Sequence, residues 1–160
     1  AKKYLALVEG LMHHEEGSID KPIGEHPSIP GKMIVSQSGK PSLTFYRVRE
    51  RFDRYTLMEV QIRTGRTHQI RVHFQSIGYP LAVDALYGRR AALFLSEIKG
   101  NRYKQGKFSA EEQPLLDRTS LHASRLRIDH PVTGARMEWT APLPKDFAAL
   151  LRQMQKWQTN

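Results

Sequence analysis

Between Leu43 and Ile77 the spacing of apolar residues changes period once, and this change restricts the fold more than any other feature of the chain. From Leu43 to Phe52 the residues alternate, with Thr44, Tyr46 and Val48 on one face and Phe45, Arg47, Arg49 and Arg51 on the other. Tyr55 to Arg63 alternates too, with Met58, Val60 and Ile62 inward. A period of two belongs to a pleated strand, and the short link Asp53-Arg54 makes the pair an antiparallel hairpin. Ile70, Phe74 and Ile77 then recur at i, i+4 and i+7, the apolar stripe of an amphipathic helix. Thr64 or Thr67 is expected to cap its start, Gly78 ends it, and Pro80 prevents its continuation.

The remaining segments fit the same architecture. Tyr4 to Val8 reads as a buried strand ended by Gly10. Glycine and proline punctuate the next twenty residues, which are expected to be loop with at most short extended pieces. Lys32–Gln37 reads as a short strand before the turn Ser38-Gly39-Lys40-Pro41. Leu121–Ile128 and Arg136–Ala141 form a second hairpin, and Phe147, Leu150, Leu151 and Met154 mark a final helix from Lys145 to Trp157. Residues 96–119, with Lys99, Arg102, Lys104, Lys107 and Arg118, have weak periodicity and read as a long loop. The expected class is α+β: a mostly antiparallel sheet of hairpins with a few flanking helices, in a single domain over residues 1–160.

Composition narrows the function. Lysine and arginine number 25 against 16 acidic residues, a net charge of +9. Such a field attracts polyanions, and for a globular domain the usual polyanion is nucleic acid; a solvated basic surface is the plainer alternative. The absence of cysteine excludes disulfides, thiolate metal sites and a catalytic thiol, and fits a reducing, cytoplasmic compartment. No apolar run approaches the roughly 20 residues of a membrane span, so a membrane partner is not expected.

Three constellations carry possible chemistry. His13-His14 with Glu15-Glu16 lacks metal-ligand spacing, and His68 and His73 point apart on a helix, so no metal site is expected. Thr64-Gly65-Arg66-Thr67 enters a helix without matching a nucleotide-binding fingerprint. Its helix start, flanked by Arg63 and Arg66, can hold an RNA phosphate or simply be a capped helix with exposed arginines. Arg71, between Ile70 and Val72, needs a partner close to the core. Either it is salt-bridged to a local acid such as Glu59 or Asp84, or it fixes a catalytic carboxylate.

Several of these residues resemble a known family. Lys3 to Gly10 resembles the Y-x-A-x-V-x-G segment of RNA pseudouridine synthases of the RluA type. Thr64 to His73 resembles their T-G-R-T-H-Q-I-R-V-H motif at every position. Gly39 to Thr44 is similar to their G-K-x-A-x-T turn, and Leu121-His122-Ala123 with His130-Pro131 to their closing L-H-A…H-P pattern. The correspondence runs from residue 3 to about 150.

This resemblance implies an isomerase that converts uridine to pseudouridine in rRNA or tRNA, with no metal or organic cofactor and with the target nucleotide flipped from its stack. An aspartate acts at the ribose, the glycosidic bond breaks, and uracil rotates and rejoins through carbon. By matching, Tyr4, Arg71 and Leu121 are the expected catalytic-site residues: Tyr4 against the base, Arg71 pairing with the aspartate, Leu121 lining the uracil pocket. Arg63, Arg66, Thr67, His68 and Gln69 are the expected RNA contacts. The family's aspartate lies in an H-R-L-D-x-x-T-S-G segment, and no aspartate of this chain has that context. Asp84 matches a position usually preceded by glycine, where Val83 stands here, so a different turn is expected. With Ala1-Lys2-Lys3 leading at once into an apolar run, the expectation is an incomplete catalytic domain lacking its N-terminal portion, inactive alone. The alternative is a non-catalytic basic RNA-binding domain with a relic synthase site.

Overall fold

The computed structural model describes residues 1–106 and 111–159. Six strands form one antiparallel sheet: β1 (Lys2–Glu9), β2 (Glu16–Asp20), β5 (Leu43–Arg51), β6 (Tyr55–Ile62), β7 (Leu121–Asp129) and β8 (Arg136–Thr140), in the order β2-β5-β6-β1-β7-β8. A separate two-stranded ribbon pairs β3 (Ile23–Glu25) with β4 (Met33–Val35). The helices are α1 (Gln69–Ser76), α2 (Leu95–Lys99), continued by a 3₁₀ turn over Gly100–Arg102, and α3 (Lys145–Trp157). This is the expected α+β class, with both hairpins in place.

The strand nearest the start of the sequence is central in the sheet, bonded to β6 on one side and β7 on the other. Ala6, Leu7 and Val8 have no exposed surface. Their unbroken apolar run follows from burial on both faces, which removes the need for alternation. On one face Ala6, Val8, Met58 and Val60 meet Ile70 and Phe74 of α1. On the other, Leu7, Tyr55 and Leu57 meet Phe147, Leu150, Leu151 and Met154 of α3 and Ile98 of α2. β6 is therefore buried on both faces through Met58, not on the Met58–Val60–Ile62 face alone.

Two other expectations change, while the short extended pieces allowed after Gly10 are β3 and β2, the latter an edge strand paired with β5 over Glu16–Asp20. Gly17 stands opposite Tyr46, whose hydroxyl lies across it, 2.5 Å from where a Cβ would stand. Within 96–119, α2 and the 3₁₀ turn replace the first part of the loop, and Leu93 bridges to Leu116, both fully buried; Lys107 lies outside the described residues. Val83 adopts an ordinary backbone conformation, since His68 is the one non-glycine with positive φ among the described residues. Its side chain is buried in the α3-facing core.

Candidate active site

The loop that enters α1 is clamped by one buried glutamine. Gln69, 3% exposed, receives hydrogen bonds at Oε1 from the Thr64 hydroxyl (2.7 Å) and the Arg66 amide (3.1 Å). Its Nε2 donates to the Leu43 carbonyl (3.0 Å) and to Thr44 Oγ1 (2.9 Å). Both ends of the amide are thus engaged within the chain. Neither Thr64 nor Thr67 caps the helix; the N-cap is His68, with φ 56° and no side-chain capping bond.

The Thr44 hydroxyl, already an acceptor from Gln69, sits 2.7 Å from Nδ1 of the fully buried His73. His73 Nε2 lies 2.8 Å from the Lys21 carbonyl, which can only accept. The proton therefore resides on Nε2, Nδ1 accepts from Thr44, and burial keeps the ring's pKa below that of an ordinary histidine.

A second relay fixes His68. The Met33 amide donates to Tyr87 Oη (2.8 Å), and the same hydroxyl is hydrogen-bonded to His68 Nδ1, 2.7 Å away. Burial and the nearby Arg71 charge lower its pKa, partly offset by Asp84, and favour the neutral ring. A left-handed non-glycine residue is uncommon and marks a position determined by its surroundings.

Arg71 and Asp84 meet below this loop. Nε and Nη2 of Arg71 each lie 2.7 Å from a carboxylate oxygen of Asp84, whose side chain is fully buried. Burial raises the Asp84 pKa, but hydrogen bonds from Arg71 and from the amides of Tyr87 and Leu86 outweigh it and hold the carboxyl below its usual range. The guanidinium also stacks over the Tyr87 ring at 4.9 Å. Of the two acids open to Arg71 from the sequence, Asp84 is the partner; Glu59 pairs with Lys3 and Arg49. Arginine has five N–H donors, so two committed to Asp84 leave three for a second carboxylate.

Tyr4 and Leu121 pack against the α1-facing cluster, on adjacent strands of that sheet face. A bulge at Ser124 of β7, opposite Lys3 and Tyr4, interrupts the β1–β7 register. Tyr4 also lines a groove of about 260 Å³ with Ala123, Ser124, Leu126 and Trp139. Leu121 follows Ser120, whose amide bonds to Val83, the residue before Asp84. Arg63 is exposed, stacked on Phe45 at 5.6 Å. Arg66 bonds the Pro41 carbonyl through Nε and Nη2, and Thr67 is exposed; both line a groove of about 440 Å³ with Gly24, Met33, Gly39, Lys40 and Gly65. Tyr87 and Met33, which the sequence reading did not single out, orient the site through hydrogen bonds between distant segments.

The family described as RNA pseudouridylate synthase matches residues 1–76, from Tyr4 through Arg71. The chain belongs to the RNA pseudouridine synthase family. "Uncharacterized RNA pseudouridine synthase YlyB" of Bacillus subtilis is 41% identical over 155 residues, covering 97% of this chain and 44% of that protein. "Ribosomal large subunit pseudouridine synthase D" of Nitrosomonas europaea is 44% identical over 151 residues, covering 94% and 40%. The chain thus spans less than half the length of these relatives. The solved structure of human RNA Pseudouridylate Synthase Domain Containing 4 superposes with a TM-score of 0.68 at 25% identity, over 96% of this chain and 62% of that one. Human RNA Pseudouridylate Synthase Domain Containing 1 gives 0.65 at 29%, over 89% and 54%. These likenesses span both core faces, so the synthase fold includes the sheet, α1 and α3.

Proposed function

We propose that this synthase chain carries the arginine side of a site that isomerises uridine to pseudouridine in RNA, with the aspartate supplied from outside these 160 residues. The observation that carries the reading is the geometry of Arg71. Asp84 fixes one edge of the guanidinium and leaves further donors to orient a catalytic carboxylate. Tyr4 stands against the target base and assists removal of the C5 proton once the carbon link has formed. Leu121 contributes to the uracil pocket. Arg63, Arg66, Thr67 and His68 face the RNA, while Gln69 acts indirectly, by holding the loop that presents them.

The substrate in this reading is ribosomal RNA, supported by the relatives named for the large ribosomal subunit, and the compartment is the cytoplasm. The 160 residues form an incomplete catalytic domain. Tritium release from RNA labelled at uridine C5 tests both parts. A longer protein containing the R-L-D segment should release tritium and lose that activity on Arg71→Ala, with RNA affinity retained. The 160-residue chain alone should release none above a protein-free blank. Near wild-type turnover by the Arg71 variant, or release by the short chain, would overturn the assignment.

A further inference from the structure

Three cations gather around one indole on the sheet face opposite α1. Lys99 Nζ lies 4.5 Å from the Trp157 ring centroid, Arg102 Cζ 5.0 Å and Lys156 Nζ 5.1 Å. Arg102 is fixed further by Nη2 donating to the Trp157 carbonyl at 2.7 Å, and the indole N–H is held by Gln153. Trp157 packs its body against the α3-side core. It therefore acts as an anchor for the cations, whose own chemistry remains directed outward. Among the described residues none of Lys99, Arg102 and Lys156 belongs to an ion pair. Three like charges held together without an acid attract an anion with closely spaced negative charges.

We propose that Lys99, Arg102 and Lys156 form a second RNA-backbone contact, separate from the Arg71 site, and that the substrate is a folded RNA bulky enough to reach both sheet faces. This rests on RNA being the partner proposed above. α1 covers one face and α2 and α3 the other, so the two contacts lie on opposite sides of the sheet. A short single strand bound on the Arg71 side engages one face, whereas a folded RNA can engage both. Because the cations occupy the indole ring, the contact reads phosphate charge and not base identity.

The test compares the wild-type chain with K99Q/R102Q/K156Q, binding a transcribed domain of large-subunit ribosomal RNA and a short oligouridine across a salt series. Each phosphate contact contributes about 0.7–0.9 to the slope of log affinity against log salt. The triple variant should therefore lower the slope for folded RNA by about 2, and lower that for oligouridine by less. If the variant melts early, Lys156→Gln alone should lower the slope for folded RNA by about 1. An unchanged slope for folded RNA, an equal loss on both probes, or polyglutamate competing as well as RNA would overturn the second contact. Absence of any salt-dependent RNA binding by the wild-type chain would instead overturn the RNA reading itself.

Discussion

Arg71 and Asp84 are joined by two hydrogen bonds of 2.7 Å, one end in a fully buried aspartate side chain and the other in an arginine side chain that is still 19% exposed. That asymmetry lets the pair brace a site without closing it. Asp84 has no solvent to turn to if its partner is lost, so Arg71→Ala should cost about 3–5 kcal/mol. Urea melts at pH 7 read this as a lower midpoint at constant slope. Asp84 has a folded pKa below its unfolded value, so its contribution is complete above about pH 4 and declines as pH falls through the folded pKa. Asp84→Asn should flatten the acid limb of the stability profile. A limb as steep as wild type would show that other carboxylates carry it.

His68 should be a neutral ring when it meets RNA. Its Nδ1 is hydrogen-bonded to the Tyr87 hydroxyl, and burial with the Arg71 charge opposes a second proton. Nitrogen chemical shifts of the imidazole should report a neutral ring at pH 7. Asparagine accepts the left-handed backbone readily but lacks a nitrogen at the Nε2 position. His68→Asn should therefore stay folded, losing only the Tyr87 contact, while binding RNA about tenfold more weakly, equivalent to about 1.4 kcal/mol. Full RNA affinity in that variant would remove His68 from the interface.

The hairpins, α1 and α3 were legible because one face of each is apolar at its own period, a local property. β2 was legible only as a short extended piece, since its single buried apolar residue, Ile19, stands in a polar stretch. The double burial of β6 was hidden for a different reason: α3, which covers its Tyr55–Leu57 face, comes from the far end of the chain. At the site, Arg71 announced its need for a partner, and spacing left Glu59 and Asp84 equivalent; only the path of residues 79–84 along the end of β1 decides between them. Thr64 looked like a cap because its hydroxyl precedes a helix. The hydroxyl instead bonds Gln69, a side-chain link that periodicity does not encode.

The buried Gln69–Thr44–His73 chain should make stability sensitive to mild acid. His73 is neutral when folded, with a pKa depressed by burial. Its contribution is therefore complete above the unfolded value of about 6.5 and is lost as pH falls from there toward the folded pKa. Thr44→Val leaves Gln69 Nε2 short of one acceptor and His73 Nδ1 without a donor, at a cost of about 1–3 kcal/mol for each unsatisfied group. Thermal melts from pH 7.5 to 5 should show wild type losing stability as pH falls below about 6.5. They should show the valine variant lower throughout. A flat wild-type profile over that range would mean that His73 titrates alike folded and unfolded.

Gly39 and Gly65 border the same groove, yet only one of them must be glycine. A Cβ at Gly39 would lie 2.4 Å from the Ile23 carbonyl carbon, 2.6 Å from its oxygen and 2.7 Å from the Gly24 nitrogen, all backbone atoms. Ile23 and Lys40 exchange hydrogen bonds of 2.9 and 2.8 Å beside it, so an added methyl has to part this pairing. Gly39→Ala should cost about 1–3 kcal/mol and weaken RNA binding by displacing the groove wall. At Gly65 nothing lies within 4 Å of the position a methyl would take, and the backbone needs no positive φ. Gly65→Ala should therefore leave the melting temperature unchanged or raise it slightly by restricting the unfolded chain. Equal losses at the two positions would show that the loop, and not the packing of the turn against β3, sets the requirement for glycine.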